Sequence, residues 1–328
     1  PKSSADAMEV RAKKALGQHF LTDQSIARTI VSSLREGGER DVLEIGPGMG
    51  VLSRYLLERD DIDLKLVEID GESVNYLLTH YPAIEGKLYS ADYLKLDMRE
   101  LFSGNYRVIG NFPYNISSQI FFKILDDKDK VPEVVCMIQK EVADRIAEKP
   151  GSKTYGILSV LLQAWYDIDY IISVGSGAFC PPPKVQSAVI RLRRHSRREL
   201  GCDERQFRQV VKTAFNQRRK TLRNALKPML PEGFDCSDPV FDLRAERLSV
   251  EDFIVNCRYI IVGDEYPPLR YGYAKGPAWF ADPEAGEVQM LSYAPNELRY
   301  KYSSRDGGKL VVIGSKLDEK AIAGLFGC

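Results

Sequence analysis

The sequence has few of the residues that support metal or thiol chemistry. Three histidines (His19, His80, His195) and six cysteines (Cys136, Cys180, Cys202, Cys236, Cys257, Cys328) are scattered over 328 residues, with no CxxC pair and no Cys/His cluster. Neither a zinc site nor a His-based triad is expected, and free thiols in a reducing compartment fit this usage better than a disulfide framework. No run approaches the roughly 20 apolar residues that span a bilayer, and the polar, basic start lacks the apolar core of a secretion signal. The expectation is a cytoplasmic chain with no membrane contact and no metal. A start at Pro1 rather than Met points to processing or truncation.

Net charge is absent too, since 46 basic residues balance 46 acidic ones. The balance conceals a segment. From Lys184 to Lys227 fourteen basic residues face only Glu199, Asp203 and Glu204, an excess of eleven that the rest of the chain offsets. A positive field is thereby concentrated where a polyanion can sit. With 44% apolar and 28% charged residues, a chain of this length is expected to form two globular domains and an appendage.

Apolar spacing organises the first 198 residues as alternating strands and helices. Thr22 and Asp23 can cap a helix carrying Ile26, Ile30, Val31 and Leu34. Strands are expected at 41–45, 64–69, near Leu88, at 106–110 and at 133–138, and helices at 51–57, 73–80, 116–125, 140–147 and 157–165. Such alternation predicts an α/β fold, a parallel sheet with helices on both faces and ligands bound beyond the carboxyl ends of the strands. Two late strands, 169–174 and 187–192, flank Phe179-Cys180-Pro181-Pro182-Pro183 and should close the sheet as a hairpin. Residues 199–261 switch to helical spacing and predict a small all-helical domain. The short alternating runs and Gly/Pro breaks of 262–328 predict an irregular or β tail, to which no role is assigned.

Chemistry concentrates at the predicted strand ends. Glu44-Ile45-Gly46-Pro47-Gly48-Met49-Gly50 follows a strand and opens a helix, so its glycines permit a tight turn and close approach of backbone to ligand. It lacks the Gly-Lys-Ser/Thr of a phosphate loop and the GxGxxG of a dinucleotide loop, and by itself is weakly specific. Glu68 ends the next strand about twenty residues on, where a carboxylate can accept from a ribose diol, and Asp92 after the third can accept from an exocyclic amine. In series, Glu44, Glu68 and Asp92 describe an adenosine-shaped cleft.

The most informative segment is Asn111-Phe112-Pro113-Tyr114, after the fourth main strand. The amino nitrogen of adenine is a poor nucleophile because its lone pair is delocalised into the ring. Asn111 Oδ1 and a backbone carbonyl turned inward by Pro113 can each accept one of its N–H groups, while Tyr114 offers a face for stacking worth ~1 to 3 kcal/mol. Alignment and fixed dipoles would then supply the rate, with no strong base required. Phe179 is either the second face of a base sandwich, as an enzyme that extracts its target base needs, or a core phenylalanine.

Across residues 11–260 the sequence resembles the KsgA family, the bacterial small-subunit ribosomal RNA adenine dimethyltransferases. The resemblance rests on Lys14-Ala15-Leu16-Gly17-Gln18-His19-Phe20-Leu21, Glu44 to Gly50, Val67 to Asp70, Asn111 to Ile116, Gln139 to Val142, Phe179 to Val189 and Phe215 to Leu222, in that order and spacing. It implies a Rossmann-like class I methyltransferase sheet over 1–198 and an RNA-binding helical domain over 199–261. It further implies that Gln18, His19, Leu21, Glu44, Gly46, Gly48, Gly50, Glu68, Asp92 and Asn111 bind S-adenosylmethionine, with S-adenosylhomocysteine as product. Asn111, Pro113, Tyr114 and Phe179 would hold the adenine, and Lys184, Arg218, Arg219, Lys220 and Arg223 would grip RNA.

The expected reaction is dimethylation of N6 in two adjacent adenines of the 3′-terminal hairpin of 16S RNA, by a monomer acting on an immature small subunit. The alternatives are an Erm-like methyltransferase of large-subunit RNA, a DNA adenine methyltransferase, and a ribosome-assembly or transcription factor that keeps the fold without turnover. Segments 179–189 and 215–222 favour the small-subunit enzyme over the Erm-like one.

Overall fold

The computed structural model describes residues 10, 12–13 and 16–261 and two strands at 278–282 and 287–291. Lys14, Ala15, Cys328 and the alternating runs expected at 298–302 and 309–313 lie outside the described residues.

Apolar period decides where each element lies. The strands β1 (Phe20–Leu21), β2 (Asp41–Ile45), β3 (Asp63–Glu68), β4 (Leu88–Ser90), β5 (Arg107–Asn111) and β6 (Glu133–Gln139) alternate with helices α1 (Gln24–Ser33), α2 (Ser53–Leu56), α3 (Gly71–His80) and α4 (Ser117–Asp126). Next come α5 (Lys140–Ala147), α6 (Ile157–Gln163), β7 (Tyr166–Val174), β8 (Phe179–Cys180) and β9 (Ser187–Arg194). Asp23 caps α1 as its sequence suggests, accepting from Ser25 N–H at 2.9 Å and Ile26 N–H at 3.3 Å.

Seven strands form one sheet in the order β4-β3-β2-β5-β6-β9-β7. The first four pairings are parallel and the last two antiparallel, so β9 and β7 close one edge as the expected hairpin. Successive residues of a strand face opposite layers. Leu43, Val108, Val134 and Cys136 enter one apolar cluster with α4 and α6, while Val42, Ile109, Val135 and Met137 enter another with α1 and α3. Both faces are thus covered, and the α/β expectation holds.

Three expectations of detail change. The helix expected at 51–57 is the single turn α2, because the turn after β2 continues to Leu52. Strand β7 begins at Tyr166, three residues before the expected start. It is an edge strand with β9 as its one neighbour in the sheet, and an edge tolerates the polar Asp167 that hid its first residues. The pairing of β1 with β8 was not expected at all, since two-residue strands carry no readable period.

The helices α7 (Glu204–Asn216), α8 (Leu222–Ala225) and α9 (Val250–Ile261) follow the sheet. Asp203 caps α7 through Gln206 N–H at 2.9 Å, and Ser249 with Asp252 forms a reciprocal cap on α9. Phe207, Val211, Phe215 and Phe253 join the same cluster that covers one face of the sheet. The change near residue 199 is therefore a change of secondary structure within a continuous core. Beyond it, β10 (Ala278–Asp282) and β11 (Glu287–Leu291) pair antiparallel.

Candidate active site

Strand order reverses direction at β2: β3 and β4 lie to one side, β5 and β6 to the other. A crevice must open where the loops after β2 and β5 diverge, at the carboxyl ends of the strands. A cavity of about 210 Å³ lies there. The glycine loop after β2, the ends of β3 and β5, the segment after β4 and the N-terminal residues 16–21 line it.

The glycine loop needs its glycines. Gly46, Gly48 and Gly50 have φ of 65°, 58° and 78°, in the region that side chains disfavour. A Cβ at Gly50 would stand 2.6 Å from the Tyr81 ring, and one at Gly110 would stand 2.5 Å from the Ile45 carbonyl, preventing β5 from lying so close to β2.

The acidic series is brought together, but its members differ in environment. Glu44 is 1% exposed and accepts from Ser53 Oγ at 2.7 Å. Burial, above all, pushes its carboxyl up to about 8, so it is neutral at pH 7 and supports the loop from beneath. Glu68 accepts from Gly48 N–H at 3.0 Å and Asp70 N–H at 2.9 Å, which fixes both the carboxylate and the loop. Burial raises its pKa despite those bonds. Asp92 is the most open of the three; Leu94 N–H donates to Oδ1 at 3.0 Å.

Asn111 ends β5 in the cavity wall. Its Nδ2 donates to the His19 carbonyl at 3.1 Å, leaving Oδ1 as the amide's open acceptor. Pro113 and Tyr114 line the cavity beside it. The Tyr114 hydroxyl shares a short hydrogen bond with Ser187 Oγ, and its ring lies 5.2 Å from the His19 ring. Burial lifts its pKa, so the phenol keeps its proton.

Phe179 lies apart from the others. It is 4% exposed and belongs to the apolar cluster on the α1 side of the sheet, paired through β8 with Leu21 of β1. It is not among the residues that line the cavity, a placement that fits the core alternative. Its strand matters instead by holding the N-terminal segment: His19 Nδ1 lies 3.1 Å from the Pro181 carbonyl.

Sequence reasoning passed over several residues here. Ile69 is 53% exposed, yet lines the cavity directly after Glu68, an apolar surface suited to a flat ring. Its signal was an apolar residue between two carboxylates. Asp70 is the anchor of the N-terminal segment: Lys13 Nζ pairs with it, and Gln18 Nε2 donates to it at 3.4 Å. Burial pushes Asp70 up, but bonds from Lys13, Ser73 and Gln18 outweigh it and leave the carboxyl below its ordinary range. Gln18 thus reaches the cavity wall partly by serving Asp70.

The basic segment is less free than its charge count implies. Arg218 donates to Glu246 at 2.9 Å and to the Tyr155 carbonyl at 2.8 Å, and Arg223 to Asp242 at 2.6 Å. Arg191, Arg193, Arg194, Arg197 and Arg208 are likewise ion-paired. Lys184, Arg219 and Lys220 are exposed and have no ion-pair partner among the described residues. Those described residues also hold no metal-ligating cluster and no helix long and apolar enough to cross a membrane, and Cys136, Cys180 and Cys236 are free thiols.

Comparison with known proteins gives this geometry relatives. The family pattern described as ribosomal RNA adenine dimethylase matches residues 9–253. The ribosomal RNA small subunit methyltransferase A of Parabacteroides distasonis is 58% identical over 248 residues, 75% of this chain and 92% of that protein. That of Cytophaga hutchinsonii is 54% identical, over 75% of this chain and 95% of that protein. Among solved structures, a dimethyladenosine transferase from Plasmodium falciparum aligns with a TM-score of 0.61 at 23% identity, over 72% of this chain and 95% of that one. The 23S rRNA methyltransferase ErmE aligns at 0.57 and 21%, over 74% of this chain and 99% of that one. At such identities the two structures speak for the fold alone.

Proposed function

The chain belongs to the ribosomal RNA adenine dimethylase family, and on that footing we propose that it dimethylates N6 of two adjacent adenines in the 3′-terminal hairpin of small-subunit RNA, using S-adenosylmethionine. The observation that carries this reading is the bond from Asn111 Nδ2 to the His19 carbonyl, which spends one of its two N–H groups, fixes the amide and leaves Oδ1 as an acceptor for the incoming group. An acceptor fixed at that point suits an amine.

The cavity suits the methyl donor. The glycines of the loop let its backbone approach closely, Glu68 retains lone pairs for a ribose diol, Asp92 has an accessible carboxylate for an exocyclic amine, and Ile69 presents an apolar face to a ring. When bound, S-adenosylmethionine supplies an electrophilic methyl group on a sulfonium. Gly46, Gly48 and Gly50 with Glu68, Asp92 and the segment of Gln18, His19 and Leu21 would hold it. Glu44 acts from beneath the loop as a neutral support.

Asn111 Oδ1 takes one adenine N–H. We assign the second to the Phe112 carbonyl, because the Pro113 carbonyl accepts from Ile116 N–H at 3.2 Å. Two acceptors orient the nitrogen and draw electron density onto it, and Tyr114 stacks the ring. The proton leaves to water after transfer. Lys184, Arg219 and Lys220 supply phosphate contacts that position the RNA without choosing its sequence.

Relatives named for the small subunit at 54–58% identity favour this substrate over the Erm-like alternative, whose likeness at 21% is one of fold. Incubation with labelled donor and either immature small subunits or naked large-subunit RNA tests the choice. Label in the small subunit is expected; label confined to large-subunit RNA would overturn it.

A further inference from the structure

Stacking a base requires only the ring of Tyr114, so its hydroxyl calls for a separate explanation. That hydroxyl is bonded to Ser187 Oγ, 73 residues further along the chain. Ser187 is fully buried at the start of β9, where its backbone pairs with Gln139 of β6 and Val174 of β7. The neighbouring Gln186 carbonyl accepts from Lys140 N–H at 2.9 Å. Tyr114 is therefore tethered at both ends, by its backbone to the turn after β5 and by its hydroxyl to the interior of the sheet.

We propose that Ser187 is a positioning residue for the second methyl transfer, acting through the Tyr114 hydroxyl to fix the plane on which the monomethylated base is stacked. The proposal rests on the function proposed above. In each transfer the amino lone pair forms the new N–C bond, the methyl–sulfur bond breaks with its electrons left on a neutral thioether, and the nitrogen releases one proton to water. The unmodified amine has two N–H groups for two acceptors. After the first transfer one N–H remains, and one acceptor loses its donor. Stacking does not depend on the number of N–H groups, so the second transfer leans more heavily on a fixed Tyr114 ring than the first does.

The test compares Ser187→Ala, Tyr114→Phe and the double variant as full-length chains on unmethylated small subunits, with mono- and dimethyladenine counted by mass spectrometry. At equal total methyl transfer, each single variant is expected to raise the ratio of mono- to dimethyl product about fivefold, as loss of one buried hydrogen bond allows. The double variant should raise it no further, because both changes remove the same bond. Binding of the subunit, measured without donor, should stay within about twofold of the unaltered chain, since phosphate contacts dominate it. An unchanged product ratio, or additive effects in the double variant, would overturn the proposal; Tyr114→Phe, which buries no new group, keeps the test decisive if Ser187→Ala does not fold. Failure of the unaltered chain to methylate the subunit would instead overturn the functional reading.

Discussion

The cavity at the ends of β2 and β5 and the basic segment from Lys184 to Lys227 obey opposite rules of evidence. In the cavity, short motifs carry their own chemistry: Asn111 and Tyr114 come three residues apart on one turn, and the loop from Gly46 to Gly50 is a local backbone device. In the basic segment, what counts is which charges remain unpaired, and their partners are distant. Asp126 holds Arg208, Asp169 holds Arg191 and Arg193, and Glu246 holds Arg218. A local motif can be read from neighbours in sequence; a net field cannot.

The sharpest way to break this contrast is at Asn111. Asn111→Ala should lower methyl transfer by about 100-fold or more, the scale of losing one oriented polar group at a reacting centre. RNA binding should persist, since the basic segment is remote in function from the turn. Labelled-methyl incorporation and filter binding measure the two separately, and equal loss of both would mean that cavity and basic segment are not separable.

Glu44 sharpens the chemistry of the cavity. Its carboxyl rises in the fold from an ordinary 4.5 to about 8, so the folded state favours the neutral acid. The stability it contributes is full below 4.5 and is lost as pH rises toward 8, by a few kcal/mol in all. Glu44→Gln keeps an acceptor for Ser53 and removes this loss. The variant should gain stability over the unaltered chain between pH 5 and 8 in denaturant titrations; parallel pH profiles would contradict a neutral Glu44.

Within the basic segment the prediction separates paired from unpaired cations. Replacing Arg218 by Gln should cost about 1 to 3 kcal/mol of stability by stranding Glu246 and the Tyr155 carbonyl. Replacing Arg219 and Lys220 by Gln should leave stability nearly unchanged. It should instead reduce the salt dependence of RNA binding, by a slope of ~1 to 2. The reverse pattern would restore the simple charge count.

How much could be read from sequence follows the same division. Central strands buried on both faces, such as β2 and β6, announce themselves as apolar runs. The first residues of β7 did not, because an edge strand carries polar residues. The β1–β8 pair was too short for any period, and with it went the reason Phe179 is buried. In the cavity, Asn111, Tyr114, Glu68 and Asp92 were legible from motif and spacing. Ser187 and the Lys13–Asp70 anchor were not, because each depends on a contact across more than fifty residues.

The central claim is that Asn111 and Tyr114 present an adenine amine of small-subunit RNA for two successive transfers. Mass spectrometry of RNA recovered from immature small subunits, after reaction with the full chain and S-adenosylmethionine, tests it most directly. The account predicts N6,N6-dimethyladenine at two adjacent positions of the 3′-terminal hairpin. Methyl groups on another base or atom, or elsewhere in the RNA, would contradict it.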